Sequence, residues 1–140
     1  MGSRRKGRII AFQTIFSWDF NNNKIDDLIN FCWVYESNKK IKEDSILFAK
    51  LIILGTIENI IEIDKKIKKH ISNWDFNRIA KVDLAILRLS TYSLIFQKDI
   101  AGTIVIDEAI DISKEFSSEE SYRFINGVLD SIYKDINEKK

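Results

Sequence analysis

Apolar side chains recur at helical spacing along most of this chain. Val82, Ala85, Ile86, Leu89 and Phe96 fall at i, i+3, i+4, i+7 and i+14, which is one face of a helix. Val105, Ala109, Ile112 and Phe116 repeat the spacing, as do Ile125, Leu129, Ile132 and Ile136. Ile9, Phe12 and Phe16 do so near the N-terminus. Polar clusters punctuate the pattern. Asn21-Asn22-Asn23 separates a helix at about 4–18 from one at about 25–36. Residues 37–42 precede a third helix starting near Glu43, and Ser72-Asn73 follows the lysine-rich stretch 65–70. Residues 99–102 close a long central helix. Ser117, with Glu120 three residues on, has the pattern of a capping box that opens the last helix. The spacing predicts an all-α chain of about seven helices.

Composition supports that reading. The 26 isoleucines lean toward strands by propensity alone, but periodicity outweighs propensity. No proline and five scattered glycines leave too few breakers for the many turns of a β fold. Asn126-Gly127 has a turn composition, yet the apolar period runs through it. A glycine inside a helix costs about 1 kcal/mol against alanine. Its presence points to a backbone or ligand approaching closely there, or to a weakened packing site.

Candidate chemistry is sparse. One cysteine and one histidine exclude a disulfide framework and a metal site built on either residue. Cys32, between Phe31 and Trp33, reads as a small core hydrophobe. His70 lies beside the lysines, off the stripe Ile63, Ile67 and Ile71, and reads as part of a solvated basic face. Asp107, Glu108 and Asp111 share one side of a helix. They lack the Glu-x-x-His motif of a two-metal site, and favour the dipole if they open that helix. No glycine-rich phosphate loop is present. The expectation is a protein that is not an enzyme, needs no cofactor and holds no metal.

Net charge is +1, from 22 basic and 21 acidic residues, so bulk charge does not attract nucleic acid. The start of the chain departs from that balance. Arg4, Arg5, Lys6 and Arg8 come before any acid, and Arg5 and Arg8 are spaced to share a helix side. Arginine binds phosphate bidentately and stacks on bases. A solubilising terminus is the alternative role. The cations precede apolar residues, but no small-residue cleavage site follows as in a secretory leader. The most apolar stretch, 46–54, is short and holds Lys50, so a cytoplasmic location without membrane contact is expected.

Four segments together resemble the NusB family of bacterial transcription antitermination factors. They are the run Arg4-Arg5-Lys6-Gly7-Arg8 with Ala11, Gln13, Phe16 and Trp18; Val82-Asp83-Leu84-Ala85-Ile86-Leu87-Arg88-Leu89; Ile104-Val105-Ile106-Asp107-Glu108-Ala109; and Ser121-Tyr122-Arg123-Phe124-Ile125-Asn126-Gly127-Val128-Leu129-Asp130. Ala101 stands where the family usually has proline, Asp107 where it has asparagine, and Phe16 where tyrosine is common.

The resemblance implies one domain over 1–140, made of two packed helical subdomains at about 1–75 and 76–140. It implies binding of a single-stranded RNA element, boxA, together with NusE, a small ribosomal subunit protein. Other Nus factors and RNA polymerase complete that complex, which suppresses termination during ribosomal RNA synthesis. Arg4, Arg5, Lys6, Arg8, Gln13, Arg88, Arg123, Phe124 and Asn126 are its implied RNA-binding residues. Phe16, Asp83 and Glu120 are its implied partner contacts. Each has a structural alternative: a salt bridge for Arg88, core packing for Phe124 and helix capping for Asp83 and Glu120. A helical protein–protein adaptor without specific RNA binding is the competing function. A homodimer joined through exposed apolar faces is a further candidate assembly.

Overall fold

A computed structural model describes residues 3–21, 43–71 and 75–138. Among these the chain forms six α-helices and one 3-10 turn, with no strand. They are α1 (Ser3–Asn21), α2 (Glu43–Glu58), α3 (Ile60–Lys69), the 3-10 turn Phe76–Arg78, α4 (Lys81–Phe96), α5 (Gly102–Phe116) and α6 (Glu119–Glu138). The all-α class expected from the pattern is what forms. The helix expected at 25–36, Cys32 included, lies outside the described residues.

Local chemistry sets the boundaries. Glu43 and Asp44 occupy the first turn of α2, where carboxylates favour the helix dipole. Asn59 divides α2 from α3, its side-chain amide donating to the Gly55 carbonyl at 2.8 Å. Lys66, Lys68 and Lys69 fill the last turn of α3, the favourable end for cations. The Asp75 side chain caps the 3-10 turn by accepting from the Asn77 amide at 3.0 Å. At the start of α6 the cap is Ser118, one residue later than expected. Its hydroxyl accepts from the Ser121 amide at 3.2 Å. Ser117 is drawn away by another partner, described below.

Helix α4 is the centre of the molecule. It packs against α1, α2, α3, α5 and α6, and every residue from Asp83 to Leu94 is buried. The expected single apolar face understates this. A helix surrounded on all sides also buries its polar positions, here Ser90, Thr91 and Ser93. Small hydroxyls suit such a site because they occupy little space, although the Thr91 hydroxyl finds no hydrogen-bond partner there. Ser93 donates to the Gln97 side chain at 2.6 Å. Phe96, expected on the buried face, is instead exposed and stacks on Tyr92 at 5.4 Å.

Two glycines mark opposite demands. A Cβ on Gly55 of α2 would lie 2.2 Å from the Tyr92 ring of α4, so the helices meet through that missing side chain. A Cβ on Gly127 would meet nothing within 4 Å. No described part of the chain approaches Gly127, which corrects the expectation of an intramolecular backbone contact. Gly55→Ala is therefore expected to lower unfolding free energy by about 1–3 kcal/mol through overpacking. Gly127→Ala is expected to raise it by up to about 1 kcal/mol through helix propensity. Urea denaturation of the two variants checks the opposite signs.

Candidate nucleic-acid interface

The first turns of α1 carry the cationic run. Gly7 lets α1 lie directly on α2: a Cβ there would fall 2.8 Å from the Ser45 carbonyl oxygen and 2.9 Å from the Phe48 ring. This close approach sorts the neighbouring cations. Arg8 turns inward and is 2% exposed. Its guanidinium lies 5.3 Å from the Phe48 ring centroid, with that of Arg4 on the same ring at 5.7 Å. Arg8 Nε and Nη2 find no hydrogen-bond partner. Burial pulls the Arg8 pKa below the ordinary arginine value, Glu108 opposes that shift, and the charge of Arg4 adds to it.

Arg4 and Lys6 are exposed. Arg5 lies across α5, with Nη2 3.0 Å from Asp111 Oδ2 and Nε 3.8 Å from Glu108 Oε2. The i, i+3 spacing thus brings Arg5 and Arg8 to one carboxylate, Glu108, rather than making them one exposed pair. Helix α5 begins at Gly102, so Glu108 and Asp111 lie mid-helix. The dipole explanation for these acids gives way to ion pairing. Gln13 is half-buried further along α1.

Arg88 breaks the apolar run of α4 and is buried. Its Nε and Nη2 donate to the two carboxylate oxygens of Asp64 at 2.9 and 2.8 Å. Nη1 lies 3.3 Å from Asp19 Oδ1. The rings of Trp18 and Phe76 stand 5.9 Å away. Burial on its own lowers the Arg88 pKa. The hydrogen bonds and charge of Asp64, with the charge of Asp19, outweigh it and raise the pKa above the ordinary value. The guanidinium is a bidentate, planar clamp between three helices.

A cleft of about 330 Å³ opens where α4 and α6 begin. It brings together Asp83, Glu120 and Phe124, which are distant in sequence, with Arg78, Ile79, Ala80, Ser118 and Ser121. Asp83 is buried and accepts from Ser117 Oγ and Ser121 Oγ, each at 2.9 Å. That bond is what draws Ser117 from the capping position. Glu120 is exposed, and Phe124 is half-buried against the core edge. Arg123 and Asn126 are exposed on α6, with the Arg123 guanidinium 5.9 Å from the Tyr122 ring centroid. Phe16 is half-buried against the core. Sequence reasoning missed Arg78, whose side chain is 86% exposed at the cleft rim. Its signal was the position just before α4, at the end of a turn capped by Asp75.

Helix α5 connects the two regions. Asp111 faces Arg5 and Ser117 faces Asp83. Six residues separate them, about 9 Å along a helix axis. His70 lies elsewhere and is not solvated as expected. Its ring nitrogens meet Ser131 Oγ at 2.7 Å and Asp135 Oδ2 at 3.2 Å, joining α3 to α6. Lys66 reaches the same Asp135 oxygen at 2.9 Å. Among the described residues no group of acids, cysteine or histidine could hold a metal, and no helix is long and apolar enough to cross a membrane.

These features can be set beside known proteins. The sequence model of the NusB family matches residues 5–134. The chain belongs to the NusB family. The transcription antitermination protein NusB of Treponema denticola is 54% identical over 129 residues, covering 92% of this chain and 94% of that protein. A chain in the crystal structure of a plectonemic RNA supercoil superposes with a TM-score of 0.91 at 31% identity, covering 100% of both chains. A chain in the crystal structure of antitermination factors NusB and NusE in complex with dsRNA gives a TM-score of 0.86 at 31% identity, over 96% of this chain and 98% of that one.

Within this NusB-family chain the buried arginine has a measurable structural role. Arg88→Ala leaves Asp64 without its cation and Asp19 with Lys81 alone, and is expected to cost about 3–5 kcal/mol. Arg88→Lys keeps the charge but not the planar fork, so it recovers only part of the loss. Chemical denaturation of both variants tests the order.

Proposed function

We propose that this chain acts as a non-enzymatic, cytoplasmic antitermination factor. It binds single-stranded boxA-type RNA together with NusE during ribosomal RNA synthesis, in a complex with other Nus factors and RNA polymerase. Its halves, about 1–75 and 76–140, act as two helical subdomains meeting along α4. The observation that carries the RNA reading is the sorting of cations on α1. Arg4, Arg5 and Lys6 are held near the surface by a helix pinned at Gly7, while Arg8 is spent inside. The solved NusB and NusE complex with dsRNA supports pairing RNA with a protein partner in this family.

Roles follow from exposure. Arg4, Arg5, Lys6 and Arg123 meet phosphates, which supplies affinity without base selectivity. Phe124 offers a ring edge, and Gln13 and Asn126 offer amides, the groups that read unstacked bases. Arg8 and Arg88 act from below, fixing α1 and α4. Phe16 on α1 and Glu120 at the cleft rim face NusE, and Asp83 holds the cleft wall through its two serines. An acid at the rim favours rapid, selective association with a basic ribosomal protein.

Fluorescence anisotropy with labelled boxA-type RNA, a scrambled strand and a duplex tests this reading, with and without NusE. Tighter binding to the boxA strand when NusE is present is expected. Three to four phosphate contacts on a single strand give a slope of log affinity against log salt of about −2 to −3. Converting Arg4, Arg5 and Lys6 together to Gln should flatten it to about −1 or less. Equal binding to all three RNAs, unmoved by NusE, would leave a helical adaptor. Separately, Glu120→Lys should weaken NusE association about ten-fold by calorimetry, while circular dichroism stays unchanged.

A further inference from the structure

The acids facing Arg5 divide into two kinds. Glu108 Oε2 is buried and makes no hydrogen bond, and its carboxylate lies close to both Arg5 and the enclosed Arg8. It balances a charge that cannot reach water. Asp111 is different. Its side chain is 44% exposed, that of Arg5 is 26% exposed, and their oxygen and nitrogen are 3.0 Å apart. An exposed ion pair of this kind is weak and opens readily.

We propose that Asp111 is a built-in counterion for Arg5 that an RNA phosphate displaces. The proposal rests on the RNA-binding reading of the α1 cations. A phosphate oxygen presents the same charge and geometry to a guanidinium as a carboxylate does. Both cannot hold Nη2 of Arg5 in the same place. Added salt screens the Arg5–phosphate contact and equally screens the exposed Arg5–Asp111 pair that the contact replaces, so the two effects largely cancel and Arg5 adds little to the salt dependence. Asp111 thereby keeps Arg5 extended across α5 without RNA and lowers affinity for polyanions in general. Glu108 stays in place throughout, because removing it would leave Arg8 enclosed without an opposite charge.

The test is anisotropy with the labelled single strand on the full chain, across a salt series. Asp111→Asn should bind roughly three-fold more tightly at low salt, about the cost of opening one exposed ion pair before phosphate can enter. Its salt slope should steepen by about 0.7, one added single-strand contact. Asp99→Asn removes the same charge from the exposed turn between α4 and α5, away from Arg5 and Arg123, and should move neither quantity. In an Arg5→Gln background Asp111→Asn should have no effect. Unchanged or weaker binding by Asp111→Asn overturns the proposal. So does tighter binding with an unchanged slope, which reports net charge alone. If Arg5→Gln weakens RNA binding while Asp111→Asn does nothing, displacement fails and the RNA reading stands. If the unmodified chain binds no RNA at low salt even with NusE present, the RNA reading itself fails and the proposal with it.

Discussion

A charged guanidinium inside the central helix governs how the rest of the chain is placed. Helix α4 is enclosed on every side, and an unpaired charge in such a site costs far more than any single apolar contact returns. Arg88 therefore requires Asp64 from α3 and Asp19 from α1. Meeting that requirement fixes two helices against a third. Asp19 also lies 3.1 Å from Lys81, so the end of α1 is tied to the start of α4. With one end of α1 held by these charges and the other by contact at Gly7, its cationic first turns point to a fixed place beside α5.

The same reasoning separates arginines that look alike in sequence. Arg5 and Arg8 sit three residues apart, yet one lies on an acidic stripe at the surface and the other beneath it on Phe48. Burial converts Arg8 and Arg88 into structural charges. Arg4, Lys6 and Arg123 keep their charges in solvent, and Arg5 lies half-buried against Asp111. On a chain of net charge +1, the placement of a few cations rather than their number determines where a polyanion is drawn.

Much of the fold was legible in the sequence. The 3.6-residue period located α4, α5 and α6, because their inward stripes are apolar and uninterrupted. What periodicity missed was α4's complete burial, since Ser90, Thr91 and Ser93 read as polar until neighbouring helices enclose them. It also missed His70, whose partners Ser131 and Asp135 lie 61 and 65 residues away in sequence. The site was legible as residue types through the family's motifs, but not as roles. Asp83 and Ser117 look like independent capping residues until the start of α6 folds back onto α4. The Asp111 partner of Arg5 was hidden because a helix-dipole account sufficed until the start of α5 was known.

The central claim is that buried arginines build the platform and exposed ones meet RNA. Proton–nitrogen correlation spectra of the arginine Nε–H groups during titration with boxA-type RNA test it most directly. The account predicts that the Arg4 and Arg5 resonances shift with added RNA while those of Arg8 and Arg88 hold their positions. Shifts confined to Arg8 and Arg88, with Arg4 and Arg5 unmoved, would contradict it.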